Sequence, residues 1–497
     1  MTCRHIVTRL GLLAGSTIGL AHAGSATPHF EPVQAALFAA PGAQSVSWAD
    51  YDNDGDLDLA VTFKNRPNRL YKNNDGEFTD VAGQVGWHRN VDDARVLAWG
   101  DYNGDGHLDL YVGYGKDTKT RNRLYRNNGD GKLFTDVAAE VGLDLTGTTR
   151  QSSWVDYDND GDLDIYICMR DRYNYLFRND AGKFTDVSRS SGLRDPRRSV
   201  GAVWFDMDSD GDLDVFLANQ NGDRDGFYRN DNGRFTDIAA SLDMDRPRRP
   251  LNVGSTGVGV ADYDNDGDLD LFVATYANNL LYRNDGGGQF VEVAASQGLD
   301  GDFHGVGVDW GDYDNDGRID LYVNAYLSGV FAEQDYLYRN TGKGFEDVLP
   351  PDKNALIRRR DADHGTRWGD FDGDGDLDLA LASNHKRGTH QLYRNQLPDD
   401  LARRSLRVSL RDQQGRFARP GSEVRLYDSA TGKLLATRMV DTGSGYCSQS
   451  NTPLHFGLAS MAPVTVEVTR LTAKGREVTR FENVNPADYS GQVYRPL

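Results

Sequence analysis

At 497 residues the chain is long enough for two or more domains, and a formal charge of −20 with 55 glycines marks an acidic, turn-rich polypeptide. An apolar fraction of 38% fits a soluble β protein and excludes a multi-span membrane protein. Of the 75 acidic residues, 27 fall at four recurring loop positions, so the acidity is a weak argument for a cationic partner.

Residues 1–23 read as a secretory signal. Arg4 and Arg9 precede an apolar run at 10–20, and Ala21-His22-Ala23 is a small-x-small cleavage site. The run is about half the ~20 apolar residues a membrane span needs. Cleavage after Ala23 is expected, with a secreted or periplasmic product and no transmembrane segment. Cys168 and Cys447 remain after cleavage; Cys168 ends a strand pattern where other copies carry Thr62 or Ala218, which predicts a buried free thiol.

From about residue 30 to 397 the chain repeats, beginning with Asp50-Tyr51-Asp52-Asn53-Asp54-Gly55-Asp56-Leu57-Asp58. Oxygen-bearing side chains stand at loop positions 1, 3, 5 and 9. They are Asp50, Asp52, Asp54 and Asp58; Asp101, Asn103, Asp105 and Asp109; Asp156, Asp158, Asp160 and Asp164; and Asp206, Asp208, Asp210 and Asp214. The last three sets are Asp262, Asp264, Asp266 and Asp270; Asp312, Asp314, Asp316 and Asp320; and Asp370, Asp372, Asp374 and Asp378. Position 7 contributes a backbone carbonyl from Asp56, His107, Asp162, Asp212, Asp268, Arg318 or Asp376. Position 6 is glycine in every copy, as expected for a sharp turn at positive φ. Ca²⁺ takes six to eight oxygen ligands, so up to seven Ca²⁺ ions are predicted.

An EF-hand loop requires Glu at position 12 and flanking helices. Position 12 is here Val61, Val112, Ile167, Leu217, Val273, Val323 or Leu381, inside strand-like runs, so the loop joins two strands. Each unit adds a third strand signal, as at 69–73, and a fourth, Phe78-Thr79-Asp80-Val81. Four strands in each of seven units predict an all-β fold: a seven-bladed β-propeller over 24–397, followed by a small β domain over 398–497. The seventh unit lacks its Phe-x-Asp-Val, and Phe30-Glu31-Pro32-Val33 ahead of the first blade is predicted to supply it, closing the ring.

Trp48, Trp99, Trp154, Trp204, Trp310 and Trp368 each stand two residues before a first ligand, with Val260 in that place in blade five; they are expected to pack between blades. Trp87, beside His88 and Arg89, breaks the pattern and is expected to be a contact residue.

The loops and phrases such as Asn122-Arg123-Leu124-Tyr125-Arg126-Asn127 resemble FG-GAP/VCBS-type repeats, the Ca²⁺-loop propellers also found in integrin α-subunits. Residues 405–497 resemble the ASPIC/UnbV domain of cartilage acidic protein-like chains, through Gly443-Ser444-Gly445-Tyr446-Cys447-Ser448-Gln449 and His455-Phe456-Gly457-Leu458. Independently of the resemblance, runs at 406–410, 423–427, 434–440, 464–469 and 477–481 read as strands, and His455 reads as structural.

No G-x-S-x-G elbow, P-loop or HExxH occurs, and the clustered carboxylates are already assigned to calcium, so no catalytic residue is named. His304 and His364, near a channel mouth, are the best enzymatic hint. The sequence therefore predicts a secreted calcium-binding scaffold for adhesion or extracellular ligand binding, a monomer and not an enzyme; the alternatives are a carbohydrate-binding lectin and a polysaccharide lyase or hydrolase. The expected partner is an extracellular or cell-surface protein or an anionic glycan, and not nucleic acid. It is expected on a basic face opposite the loops, carrying His88, Arg89, Lys116, Lys119, Arg121, Arg194, Arg197, Arg198, Arg246, Arg248, Arg249, Arg358, Arg359, Arg360, Lys386 and Arg387.

Overall fold

Every blade begins with a seven-residue inner strand buried along nearly its whole length: Ala43–Ala49, Ala94–Gly100, Thr149–Val155, Ser199–Phe205, Ser255–Ala261, Gly305–Gly311 and Asp363–Gly369. A strand covered on both faces needs no polar alternation, which is why these segments mix small and apolar residues. An acidic loop turns the chain into a second strand, such as Asp58–Phe63, and Arg69–Asn74 and Glu77–Asp80 complete the sheet. This computed structural model describes residues 28–496 apart from 88–91, 116–118, 130, 247–248, 329–330, 333, 350–356, 358, 360–362, 386–387, 412–416 and 418. Among the described residues seven such sheets are present, and their inner strands pack in a closed cycle, Asp363–Gly369 against Ala43–Ala49. The fold is all-β, and the segment 1–23 lies outside the described residues. No helix among the described residues is long and apolar enough to cross a membrane.

The last sheet takes its fourth strand from the start of the chain. Phe30–Pro32 pairs antiparallel with Gln391–Asn395, placing Phe30 opposite Asn395. The resident fourth strands use the same register, Phe78 opposite Asn73 and Phe134 opposite Asn127. That asparagine stitches neighbouring blades. Asn179 Nδ2 donates to the Tyr102 carbonyl of the preceding blade at 2.8 Å and to Leu163 O at 2.9 Å; Asn127 reaches Tyr51 O at 2.7 Å and Asn395 reaches Tyr313 O at 2.8 Å.

The strand tryptophans are core residues. Trp48, Trp99, Trp154 and Trp204 are fully enclosed, and Trp154 Nε1 donates to Ala98 O of the preceding blade at 3.1 Å. Gly100 lies beneath that indole, where a Cβ would come within 2.7 Å of Trp154, so only glycine admits the close approach. Trp87 overturns its sequence reading. It is 3% exposed, packs with Val81 and Val85, and meets Tyr125 edge-on at 6.3 Å. It closes a hydrophobic turn after the fourth strand; His88 and Arg89 lie outside the described residues. Cys168 and Cys447 are both free and buried.

The C-terminal part forms two sheets around a core that includes Leu406, Val424, Phe456 and Val466. One is ordered Leu434–Met439, Glu423–Asp428, Val464–Thr472, Gly475–Val484; the other is Leu454–Gly457, Ser405–Val408, Val493–Tyr494. This part sits over the acidic loops, and residues 442–451 enter the central channel. Ser448–Gln449 adds in parallel to Ala94–Gly100, Gly445 N donates to Val258 O at 2.6 Å, and Thr442 Oγ1 donates to Trp204 O at 2.7 Å. Ser47 Oγ donates to Gln449 O at 2.7 Å, and Arg367 Nη2 to Ser448 O at 2.7 Å. The inner strands have one unpaired edge at the axis, and this small, polar segment satisfies it.

Candidate metal centres

The loop geometry follows from two backbone requirements. Glycine at position 6 has positive φ in all seven copies, from 87° at Gly106 to 111° at Gly161. Position 4 is also left-handed, at Asn53, Gly104, Asn159, Ser209, Asn265, Asn315 and Gly373. Asparagine and glycine tolerate that conformation best, so position 4 was a readable signal that glycine 6 alone did not exhaust.

The carboxylates divide the work. At position 9, Asp164 Oδ1 accepts from Asn179 N at 2.7 Å and Oδ2 from Tyr157 N at 3.2 Å; Asp58, Asp109, Asp214, Asp270, Asp320 and Asp378 tie loop to third strand in the same way. At position 1, Asp156 Oδ1 accepts from Asp160 N at 3.1 Å and Oδ2 from Gly161 N at 3.2 Å. At position 5, Asp160 Oδ1 accepts from Asp162 N at 3.0 Å. At position 7 several side chains bond outside their own loop: Asp162 Oδ2 accepts from Ala181 N at 2.9 Å, Arg318 Nε donates to Asn340 O at 2.8 Å, and His107 Nδ1 meets Asn53 Nδ2 at 3.1 Å, whereas Asp376 is fully buried.

At position 3, Asp52, Asp158, Asp208 and Asp314 each hold Oδ1 buried with no hydrogen-bond donor, as do Asp50 and Asp206 at position 1 and Asp376 at position 7. Ligand oxygens of Asp50, Asp52 and Asp58; of Asp156, Asp158 and Asp164; of Asp206, Asp208 and Asp210; of Asp262, Asp264 and Asp270; and of Asp312, Asp314 and Asp316 lie within 4.8 Å of one another. Burial pushes Asp50, Asp156, Asp206 and Asp262 up to about 6, Asp370 to about 7 and Asp58 to about 9. Undonated, buried, all-oxygen clusters of this kind fit a hard divalent cation.

The sequence missed that the C-terminal part supplies arginines to these loops. Arg419 Nη1 lies 2.6 Å from Asp156 Oδ2, Arg476 Nη1 2.7 Å from Asp206 Oδ2, Arg407 Nη1 2.8 Å from Asp370 Oδ2 and Arg411 Nη2 3.6 Å from Asp50 Oδ2. Arg425 Nη2 donates to Gly267 O at 2.8 Å, and the Arg438 charge lies near Asp262 and Asp312. No periodicity announces such pairs, which span as many as 361 positions (Asp50 to Arg411). Loop residues also pair locally, Lys72 with Asp52 and Asp54.

Among the described residues, several cations of the expected basic face are neutralised from within. Arg249 is buried and lies 2.8 Å from Asp225; Arg359 is buried and lies 3.2 Å from Asp363. Arg197 holds Asp195 at 2.6 Å and Asp237 at 2.8 Å, Arg121 holds Asp144 at 2.7 Å, and Arg194 stacks on Tyr173 at 3.6 Å. Arg248, Arg358, Arg360, Lys116, Lys386 and Arg387 lie outside the described residues. Arg249 and Arg359, expected on a partner-binding face, are therefore structural. His364 is enclosed between Tyr326 and Tyr446, and burial with Arg95 and Arg150 nearby holds it well below the usual histidine range; His304 stacks on Tyr276 at 5.0 Å. His455 Nε2 lies 3.0 Å from Gly375 O, joining the two parts of the chain.

FG-GAP-like repeats match at residues 50–112, 101–167, 156–217, 206–273 and 262–323, and an ASPIC and UnbV segment matches at 412–488. Cartilage acidic protein 1 of Mus musculus is 28% identical over 264 residues, 51% of this chain and 39% of that protein. Its Xenopus tropicalis counterpart is 27% identical over 396 residues, 79% of this chain and 43% of that protein. The chain thus spans less than half the length of these curated relatives. Among solved structures, BBS1N, crystallised in complex with ARL6DN, aligns with a TM-score of 0.44 at 11% identity, covering 73% of this chain and 96% of that one. Since the repeats alone account for more than half of its residues, the chain belongs to the FG-GAP-like repeat family and carries an ASPIC and UnbV domain after the propeller.

Proposed function

We propose that the chain is a calcium-stabilised propeller scaffold, exported from the cell, that binds an extracellular ligand without transforming it. The observation that carries this reading is the set of buried, undonated carboxylate oxygens inside the acidic loops, at Asp52, Asp158, Asp208 and Asp314. In each loop the ligands would be the side chains at positions 1, 3, 5 and 9 and the carbonyl at position 7. Bound calcium would supply two positive charges to clusters whose mutual repulsion the neighbouring arginines and Lys72 relieve only in part. The apolar run at 10–20 and a relative named for cartilage support an extracellular setting. The absence of chemistry is supported by the enclosure of His364, the histidine best placed for it.

Extracellular calcium sites have Kd values of about 10⁻⁴–10⁻³ M. At ~1 mM Ca²⁺ each contributes about 0.4–1.4 kcal/mol, so seven contribute roughly 3–10 kcal/mol, a large share of an ordinary domain's stability. Thermal melts with and without EGTA, together with calorimetric calcium titration, test the metal. A melting curve unmoved by chelation would sink it. A screen of glycans and extracellular polymers against the calcium-loaded protein tests the rest. Saturable binding without product is expected, and product formed from an acidic polysaccharide would replace the scaffold by a lyase or hydrolase.

A further inference from the structure

The end of the central channel away from the metal loops is a separate chemical environment. Arg95 and Arg150 are the second residues of their inner strands, and Arg170 follows the second strand of blade three, so three guanidiniums from two adjacent blades converge at the mouth. With Lys64 and Asp93 they line a cavity of about 320 Å³. An adjoining cavity of about 420 Å³ shares Lys64 and reaches Tyr326.

Among the described residues counter-charge is scarce. Arg95 is 7% exposed, and its nearest carboxylate, Asp93, is 3.7 Å away. Arg150 is 8% exposed and has no carboxylate partner among the described residues; its Nη1 donates to Tyr446 Oη at 3.3 Å. The Nε atoms of both are buried without a hydrogen-bond acceptor. Arg170 donates to Asn221 Oδ1 at 3.2 Å and has no ion pair among the described residues. Burial, and then Arg95 and Arg170, hold Arg150 below the usual guanidinium range. Burying like charges together is costly unless something compensates them.

Further round the ring the lining is different. Val200 of blade four, next to Arg150, and Val306 of blade six stand at the equivalent inner-strand positions with Tyr276 and Tyr326 packed against them, and Gln44, Thr256 and His364 occupy the others. Tyr446, from the C-terminal segment, is the floor and meets His364 edge-on at 5.1 Å. The mouth is cationic at blades two and three and mixed apolar, aromatic and polar around the rest, above Tyr446.

We infer that this mouth binds a small oxyanion-bearing ligand, a carboxylate, sulfate or phosphate alone or on a body about the size of one sugar ring, gripped by Arg95, Arg150 and Arg170. Arginine forks match such groups bidentately, and the volume lies at the lower end for small-ligand sites. The inference goes beyond the scaffold reading by naming a site and a ligand class. It involves no loop residue, so it stands or falls independently of the calcium proposal.

The test uses the whole calcium-loaded protein, titrated calorimetrically with sodium phosphate, sodium sulfate and sodium D-glucuronate against sodium chloride at equal ionic strength. Saturable single-site binding of at least one probe is expected, and the probe that binds distinguishes a free inorganic anion from a sugar acid. Arg150→Met should weaken that binding roughly tenfold or more. It should also leave the ligand-free melting temperature unchanged or raised, because an uncompensated buried cation is lost. If Arg150→Met does not fold, Arg170→Gln, at a partly exposed position, should weaken binding in the same direction. No binding of any probe up to roughly 10 mM overturns the inference. So does binding that the foldable variant leaves intact.

Discussion

Gln449→Ala tests whether the channel segment is a structural keystone. Gln449 is 1% exposed, and its amide brackets one residue of the neighbouring inner strand: Trp154 N donates to Oε1 at 2.7 Å, and Nε2 donates to Trp154 O at 3.1 Å and to Asp441 O at 2.9 Å. Truncation removes all three bonds and strands the Trp154 N–H in a site with no solvent. A stranded buried donor costs about 1–3 kcal/mol, and two weakened carbonyls bring the expected loss to about 3 kcal/mol. If propeller and C-terminal domain unfold together, their unfolding entropy is on the order of 1 kcal/mol/K, so the melting temperature should fall by about 3 °C. Scanning calorimetry with calcium present measures it, and hydrogen exchange at 149–155 and 441–451 should accelerate in parallel. A shift below about 1 °C with unchanged exchange would refute the keystone reading.

Phe30→Ala should cost about 3 kcal/mol, since Phe30 is 4% exposed and packs 6.1 Å from Trp368, and deletion of 28–33 should leave an open sheet edge and aggregated protein; chemical denaturation and light scattering read the two. Asn179→Ala should cost about 2–4 kcal/mol by removing bonds to Tyr102 O, Leu163 O and Gly182 N, and Asn179→Asp should be no better because its carboxylate would face two carbonyls; urea unfolding decides. Calcium's stabilisation should shrink as pH falls from 7 to 5, read as the difference in melting temperature with and without the ion. The sign follows from Asp50, Asp156, Asp206 and Asp262, which burial raises to about 6. Such groups hold protons more tightly folded than unfolded, so the metal-free protein keeps their contribution in acid and loses it as pH rises through 6, whereas the metal needs them ionised.

The propeller was legible because it is local and repeated. The loop phrase, the strand alternation and the displaced Phe-x-Asp-Val each recur at fixed offsets, and the register of Phe30 against Asn395 is the one its resident counterparts use. The role of the third-strand asparagine was visible as a recurrence but not as a stitch, because its acceptors lie about 75 residues upstream, as Tyr102 does for Asn179. Trp87 was misjudged from its polar neighbours, although Val81, Ala82 and Val85 precede it at a turn spacing that buries it. Arg249 and Arg359 looked solvated because a charge run shows nothing of the buried Asp225 and Asp363 that receive it. The docking of the C-terminal domain was not legible at all. Its anchor residues are ordinary serines, glycines and arginines, and only the closed ring of inner strands gives them acceptors.

That docking explains a pattern in the loops themselves. A first-position aspartate has two oxygens, and in blade four they are divided: Asp206 Oδ2 takes Arg476 at 2.7 Å while Oδ1 stays undonated in the loop. Four ligand carboxylates outweigh one divalent cation by two charges, so a loop filled as proposed remains anionic and still attracts a guanidinium. Arg411, Arg419, Arg476 and Arg407 meet that demand in blades one, three, four and seven, and the Arg438 charge lies near both Asp262 and Asp312 of blades five and six. Blade two is the exception. There Asn103 replaces a carboxylate, His107 replaces the acidic position 7 of most copies, and Asp101 has no arginine across from it among the described residues. Among the described residues, the loop with one fewer negative charge is the one with no arginine opposite its first aspartate. Among the described residues the domain's arginines thus follow the residual charge of the loops, and the acidic face is the one the domain covers.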